Sequence, residues 1–261
     1  MSRLKFLLSY AKYRLKSDNE HDIHSPYIFE FYNNVICDEN PYYVYEDIES
    51  IRAKLLLTDL AIQIEDHGAG SKVNASNTRK VKDIAKNTVK SPKYGQLLFR
   101  IVNRLKPQTI LELGTSLGIS TMYLAAPSKK TQVVTVEGCP NTAKVAQVNF
   151  DKIGFGNIRL VNATFDDFLP GYLAKTNVLD FVFFDGNHRK EATLNYFNQC
   201  VEKAQAHTVF VFDDIHWSEG MTEAWETIKQ HPKVTSTIDL HHLGIVFFNP
   251  DLSKEDFVLR F

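Results

Sequence analysis

The chain has 261 residues, of which 44% are apolar and 23% are charged, and its 30 Lys and Arg residues nearly balance 31 Asp and Glu residues. This length and composition suit one large globular α/β domain with an appended region. The balanced charge argues against nucleic-acid binding, because a surface that follows a phosphate backbone normally carries a clear excess of Lys and Arg.

The sequence also lacks the features of exported or membrane-spanning proteins. No apolar run approaches the ~20 residues of a membrane span, and the apolar patch at residues 6–11 is too short for a signal peptide. Cys37, Cys139 and Cys200 are far apart and form no CxxC pair, so neither a zinc knuckle nor a disulfide framework is indicated. We therefore predict a cytoplasmic protein.

Helical apolar spacing dominates residues 1–106 and is clearest at 94–105, before the stop signal Pro107. We predict a helical N-terminal region, 1–106, that acts as a lid or contacts substrate or a second copy of the chain, followed by a cofactor-binding domain, 107–261. The first sixteen residues contain five basic residues and no acid. This pattern is compatible with a membrane-surface helix, but we favour a helix that docks on its own domain or on a dimer partner.

From residue 109 onward, short runs rich in β-branched and aromatic residues alternate with segments of helical spacing. Seven runs predict strands, at 109–114, 131–138, 157–161, 178–186, 207–214, 233–240 and 242–249. Strands that alternate with helices indicate right-handed βαβ units and a parallel sheet. Only a few residues separate the last two strands, so they should form an antiparallel pair at the sheet edge. The predicted fold is a Rossmann-like, doubly wound, mostly parallel seven-stranded sheet.

Two glycine-containing stretches compete as the ligand-binding loop, EDHGAGS at 65–71 and ELGTSLGIS at 112–120. Only the second follows a strand and opens a helix, as a nucleotide-type loop does. Gly114 is expected to make the turn and Gly118 to permit close packing. The next strand ends in Glu137, an acid placed to accept hydrogen bonds from both hydroxyls of a ribose. We assign 65–71 to a connecting loop or lid, and expect 68–78 to be the most mobile segment.

The spacing of the glycines in the second loop distinguishes between two types of cofactor. A dinucleotide loop has the pattern G-x-G-x-x-G, but Ser116 replaces its middle glycine here, and Glu112 lies two residues before Gly114. S-adenosylmethionine has no phosphate, and its methionyl end carries an ammonium and a carboxylate. An acid at the strand end together with helix-start amides therefore favours S-adenosylmethionine, while a nicotinamide-dependent oxidoreductase remains the alternative.

Five motifs, in this order and spacing, resemble those of class I S-adenosylmethionine-dependent methyltransferases: ILELGTSLGIST, VVTVEGCPNTAKVAQVNFDKIG, VNATFDDFLP, LDFVFFDGNHRK and VFVFDDIHWSEG. The likeness covers residues 105–249 and is closest to cation-dependent O-methyltransferases of the catechol and caffeoyl-CoA type. It implies that Glu137 holds the ribose. The other implied cofactor contacts are Glu112, Gly114, Thr115 and Ser120 at the methionyl part and Ala163 and Thr164 at the adenine, with Gly118 and Asp185 also in the cofactor site.

The same resemblance implies a divalent-cation site with two departures. The acid after the fourth strand and an Asp-Asn pair after the fifth bind the cation in that family, and the matching residues are Asp185, Asp213 and Asp214. Asp214 in place of Asn adds a negative charge. The family's general-base lysine is replaced by His188, a weaker base, so His188 and Asp185 are the candidate catalytic residues. We expect weak binding of Mg²⁺ or Mn²⁺ in preference to Zn²⁺.

These observations predict an S-adenosylmethionine-dependent methyltransferase that methylates a hydroxyl of a small molecule. A cofactor-binding module without catalysis is the second alternative, beside the oxidoreductase. The residues do not identify the methyl acceptor, because specificity in such folds resides in loops and helices outside the five motifs.

Overall fold

The computed structural model describes residues 3–19, 22–65, 77–88 and 90–261, with the side chains of residues 3–8 and 88 left out. The chain divides into two compact units. We call Asp38–Phe168 the central unit, and Met1–Cys37 with Leu169–Phe261 the terminal unit. This division differs from the boundary expected at residue 107, and the roles expected for the two predicted regions stay predictions.

Ten strands occur in the described part of the chain. They are β1 (Ala61–Gln63), β2 (Thr78–Lys80), β3 (Thr109–Leu113), β4 (Gln132–Glu137), β5 (Ile158–Asn162), β6 (Leu179–Phe184), β7 (Ala204–Asp213), β8 (Ser236–Asp239), β9 (Leu243–Phe247) and β10 (Glu255–Val258). The strands β1 and β2 form a small antiparallel hairpin. The other eight belong to one mostly parallel sheet flanked by helices, which confirms the predicted fold class.

The α-helices in the described residues are α1 (Arg3–Lys16), α2 (Pro26–Phe31), α3 (Tyr43–Leu56), α4 (Val81–Thr88), α5 (Pro92–Leu105), α6 (Ile119–Ala125), α7 (Pro140–Ile153), α8 (Phe165–Leu173), α9 (Lys190–Val201) and α10 (Glu219–Lys229). A π-helical turn, Tyr32–Ile36, continues α2. None of the helices in these ranges combines the length and the apolar character that a bilayer crossing requires.

The central unit contains the parallel strands β3, β4 and β5, in which β4 pairs with both neighbours. One apolar cluster joins residues from α3, α4, α6 and α7, including Ile48, Tyr123 and Phe150. Every residue of α6 is buried, as expected for a helix that packs in the interior rather than along the surface. This packing fixes the turn between β3 and α6, where the predicted binding loop lies.

The terminal unit contains β6 to β10. The strand β6 is parallel to β7, whereas β9 runs antiparallel to both β7 and β8. Helix α1 belongs to the same unit: the Tyr13 hydroxyl donates to the Leu259 carbonyl oxygen at 2.5 Å, and Tyr13 is buried. This contact agrees with the interpretation of the basic N-terminal helix as one that docks on its own chain.

Two details of the predicted sheet are corrected. The eighth strand, β10, was not predicted, and it pairs in parallel with β8, so the antiparallel pair β8 and β9 does not form the edge. Its sequence, EDFV, contains two acids and one buried phenylalanine, Phe257. Four residues with two charges give too little alternation to identify a strand.

The predicted loop at 65–71 and the mobile segment at 68–78 lie largely outside the described residues.

Candidate cofactor and cation sites

The loop after β3 turns through backbone conformations that favour glycine. Gly114 has a φ of 114°, Ser116 of 48° and Gly118 of 84°, and side chains with a Cβ adopt such positive φ values at a cost. Gly118 is the N-cap of α6, and a Cβ added to it would lie 2.5 Å from the Phe150 ring. The predicted turn and close packing at Gly114 and Gly118 are therefore both present.

Glu112, the second-last residue of β3, is completely buried. Its Oε2 accepts hydrogen bonds from the hydroxyls of Thr121 at 2.5 Å and Thr135 at 2.6 Å. Its Oε1 is buried and has no hydrogen-bond partner among the described residues. Burial raises the pKa of Glu112 to about 7, although the threonine hydroxyls act in the opposite direction. A buried carboxylate oxygen without a donor is costly, so this oxygen is suited to a cationic ligand group.

Glu137, the last residue of β4, is held by two backbone donors. Its Oε2 accepts from the Ser116 amide and its Oε1 from the Cys139 amide, both at 2.9 Å. Each carboxylate oxygen can accept two hydrogen bonds. The pair of amides fixes the carboxylate in one orientation, as a bidentate acceptor for vicinal hydroxyls requires.

Most of the remaining predicted cofactor residues lie in the same unit, whereas Asp185 lies in the terminal unit. Thr115 is buried, and its hydroxyl lies 2.5 Å from that of Thr135. Ala163 donates its amide to the Glu137 carbonyl oxygen at 3.1 Å. The Thr164 hydroxyl instead donates to Asp167 Oδ2 at 2.7 Å and accepts from the Asp167 amide, so it closes the first turn of α8. Ser120 is buried in α6.

Strand β1 contacts the residues that follow Glu137, which the sequence analysis did not predict. The Gln63 carbonyl oxygen accepts from the Asn141 side-chain amide at 3.0 Å and from the Cys139 thiol at 3.7 Å. The Cys139 sulfur in turn accepts from the Glu65 amide at 3.4 Å. The hairpin strand is thus attached to Cys139 and Asn141, which lie two and four residues after Glu137. Contacts over 74 to 78 residues of sequence leave no local pattern by which they could be found.

In the terminal unit, three predicted residues converge. Asp185 follows β6 and Asp213 ends β7, and these strands pair in parallel, so their carboxyl ends lie side by side. One potential ligand atom each of Asp185, His188 and Asp213 lies within 4.8 Å of the other two. His188 Nε2 is 3.8 Å from Asp185 Oδ1, and Asp213 is only 2% exposed. The two predicted catalytic residues and two of the three predicted cation ligands therefore form one cluster.

Asp214 is not a member of this cluster. Its backbone has a φ of 53° and its amide donates to the His242 carbonyl oxygen at 2.7 Å. Its Oδ1 lies 3.9 Å from His242 Nδ1. The turn after β7 therefore directs Asp214 to the β8–β9 connection, and His188 occupies the third position of the cluster instead. Neighbouring positions in a sequence do not reveal such a change of backbone direction.

The histidines and tryptophans that follow β7 and β8 differ in their surroundings. His216 Nε2 lies 2.7 Å from Asp239 Oδ2, away from the cluster. Trp225 is buried, and a Cβ on Gly244 would lie 2.6 Å from its ring. Trp217 is 46% exposed, which leaves it accessible to a ligand. His241 and the adjoining His242 lie in the connection between β8 and β9.

Comparisons with known proteins give a consistent picture. A family model described as a methyltransferase domain matches residues 111–215. Catechol O-methyltransferases from Niastella koreensis and Mycobacterium tuberculosis are both 30% identical to this chain, over 128 and 127 residues. Each match covers 48% of this chain, and it covers 57% and 56% of the two relatives, respectively. The chain thus spans little more than half the length of these relatives, and the resemblance inferred from the motifs is confirmed.

The fold has a close counterpart among solved structures. An O-methyltransferase from Bacillus cereus, in complex with S-adenosylhomocysteine, superposes with a TM-score of 0.57 at 19% identity. The match covers 84% of this chain and 96% of that protein. At this level of identity the likeness concerns the fold alone.

Proposed function

We propose that the chain is an S-adenosylmethionine-dependent methyltransferase that transfers a methyl group to a hydroxyl oxygen of a small molecule. The observation that carries the proposal is the arrangement of Glu112 and Glu137 at the ends of β3 and β4. One acid presents a buried oxygen without a donor, and the other is fixed as a bidentate acceptor. The methyltransferase-domain match over residues 111–215 supports the same conclusion.

The two acids suit different parts of S-adenosylmethionine. Glu112 Oε1 would accept a hydrogen bond from the methionyl ammonium, because a cation next to a buried carboxyl group relieves the cost of ionising it. Glu137 would accept hydrogen bonds from the two ribose hydroxyls. Gly114 and Thr115 would present loop backbone to the methionyl group, and Ala163 and Thr164 would pack against the adenine. A phosphate-free cofactor also explains why two acids are tolerated here.

The terminal-unit cluster would prepare the methyl acceptor. S-adenosylmethionine, when bound, supplies an electrophilic methyl group on a positively charged sulfur. The acceptor hydroxyl must lose its proton as its oxygen attacks that carbon. Asp185 and His188 could take the proton, or a cation held by the cluster could lower the hydroxyl pKa and orient the oxygen. Correct positioning of the two reactants supplies a large part of the acceleration in such a displacement.

The two alternative functions have no specific observation in their favour. A nicotinamide-dependent oxidoreductase would need a loop that approaches a pyrophosphate, and Ser116 occupies the position of the middle glycine. A non-catalytic cofactor-binding module would not need Asp185, His188 and Asp213 to converge. We also propose a cytoplasmic location, which agrees with three cysteines in the thiol form. A homodimer is a further part of the proposal.

Methyl transfer from radiolabelled S-adenosylmethionine tests the proposal directly. We expect the purified chain to label one or more hydroxyl compounds from a panel of catechols, phenols and aliphatic alcohols, with Mg²⁺ or Mn²⁺ present. The Glu137→Ala variant should lose most of this labelling, whereas Asp151→Ala, which removes an exposed acid on α7, should retain it. Binding of S-adenosylhomocysteine without labelling of any acceptor would favour the non-catalytic module.

A further inference from the structure

The cluster of Asp185, His188 and Asp213 contains a nitrogen donor where an all-oxygen set was expected. His188 Nε2 and Asp185 Oδ1 are 3.8 Å apart, which exceeds the length of a hydrogen bond. The pair is therefore not held by a direct hydrogen bond. Two ligands of one first-row ion lie about 3 to 3.5 Å apart in octahedral or tetrahedral geometry. A shift of a few tenths of an ångström would bring both atoms to a shared cation.

The charge of the donor set also fits a divalent cation. Two carboxylates and one neutral imidazole carry a charge of about −2, which a divalent ion neutralises. The Asp213 carboxylate is almost fully buried, so an ion beside it would be shielded from water on one side. The side chains of His188 and Asp185 are 23% and 14% exposed, which leaves a path by which a hydrated ion can enter.

We propose that His188 is a metal ligand in this chain, and that the cluster consequently selects Mn²⁺ over Mg²⁺. The inference deepens the proposed function, because it assigns the cation of the same reaction, but it concerns metal binding alone. The resemblance implied three oxygen ligands, Asp185, Asp213 and Asp214, and a general base at position 188. The structure puts His188 in the place of Asp214.

The selectivity follows from the chemistry of the ligands. Mg²⁺ favours near-octahedral oxygen ligands and releases its waters reluctantly, so an imidazole adds little to its binding. Mn²⁺ is a transition-metal ion that accepts imidazole nitrogen as well as carboxylate oxygen, so a histidine ligand adds more to its binding than to that of Mg²⁺. A coordinated His188 has its Nε2 lone pair in the metal bond and cannot accept a proton there. The base for the acceptor hydroxyl must then be another group, or the cation alone must acidify it.

Nitrogen ligation has a spectroscopic signature that does not depend on activity. Electron spin-echo modulation of bound Mn²⁺ reports ¹⁴N nuclei in its coordination sphere. We expect ¹⁴N modulation for the wild type and none for His188→Gln. His207→Gln is the matched control, because His207 also faces an aspartate, Asp180 at 3.0 Å, but lies outside the cluster. That variant should retain the modulation.

Calorimetric titration of the metal-free protein with MnCl₂ and, separately, MgCl₂ measures the selectivity. We expect Mn²⁺ to bind at least about tenfold more tightly than Mg²⁺. His188→Gln and His188→Ala should each weaken the binding of Mn²⁺ by about tenfold or more. The same variants should change the affinity for Mg²⁺ by less than about threefold. Absence of ¹⁴N modulation, equal affinities for the two ions, or no heat at millimolar Mn²⁺ would overturn the proposal. A parallel titration with S-adenosylhomocysteine distinguishes this failure from a failure of the proposed function.

Discussion

Glu112 and Glu137 are both glutamates at strand ends of the central unit, but their surroundings differ. Glu112 is completely buried and bonded to two threonine hydroxyls, whereas Glu137 is partly exposed and bonded to two backbone amides. The sequence predicted both acids as cofactor ligands from their positions after apolar strands. It could not predict the role of Thr135, because this residue approaches Glu112 only through pairing of β3 with β4.

The pKa of Glu112, raised to about 7 by burial, gives a pH dependence of stability. An unfolded glutamate ionises near pH 4.5, so the stabilising contribution of the protonated form is complete below that pH. It decreases as pH rises and is lost above pH 7. The unfolding free energy of Glu112→Gln should therefore rise by about 2 to 3 kcal/mol relative to that of the wild type as the pH increases from 5 to 8. Urea unfolding at both pH values measures the difference.

The exposed residue Glu46 on α3 provides the control for this measurement. Glu46→Gln makes the same change of a carboxyl group to an amide at an exposed position, so we expect it to leave the unfolding free energy close to that of the wild type. A constant difference between Glu112→Gln and wild type from pH 5 to pH 8 would contradict a buried carboxyl group of raised pKa.

Glu137 should contribute to cofactor affinity rather than to stability alone. Replacing it with alanine removes the expected acceptor for both ribose hydroxyls. Glu137→Ala should weaken binding of S-adenosylhomocysteine by about 1.5 to 3 kcal/mol, the range for a hydrogen bond to a charged group. Calorimetry on the folded variant measures this change, and an unaltered dissociation constant would remove Glu137 from the site.

At the scale of elements, the contact between the loop after β3 and helix α7 determines where the cofactor residues lie. A Cβ on Gly118 would meet the Phe150 ring at 2.5 Å, and Gly118 also has a φ of 84°. Gly154, at the end of α7, has a similar φ of 75° but nothing within 4 Å of an added Cβ. Alanine substitutions at these two glycines therefore distinguish the cost of backbone strain from the cost of overpacking.

Gly154→Ala should cost about 1 kcal/mol of unfolding free energy through its backbone conformation alone. Gly118→Ala should cost about 1 to 3 kcal/mol more, because the ring of Phe150 must move in a packed core. Thermal or urea unfolding of both variants gives the comparison. Equal losses would mean that α7 does not restrict the loop.

The elements with a strong local pattern were predictable, and those that depend on distant contacts were not. The strands β3 to β9 have continuous apolar or alternating runs, which identify them without a structure. The short hairpin of β1 and β2 and the edge strand β10 have four residues or fewer each. These short segments are strands because they form hydrogen bonds with a neighbouring strand. A single sequence does not show which segments pair.

For the whole molecule, the order of the five motifs along the chain predicted the fold better than any single motif did. The loop at 112–120 alone is compatible with more than one nucleotide cofactor, but the succession of five motifs predicted a Rossmann-like, mostly parallel sheet flanked by helices, which the structure confirms. The composition of the cation cluster was predicted only in part. His188 occupies the cluster position that was expected for Asp214, whereas the backbone of Asp214 has a positive φ and its side chain faces His242.

Calorimetric titration of the wild-type chain with S-adenosylhomocysteine, repeated with NAD, distinguishes a methyltransferase from an oxidoreductase. We expect one site per chain for S-adenosylhomocysteine, with a micromolar dissociation constant, which corresponds to a binding free energy of about −8 kcal/mol, and no heat of binding for NAD. Saturable binding of NAD with none of S-adenosylhomocysteine would contradict the methyltransferase account and support the oxidoreductase alternative.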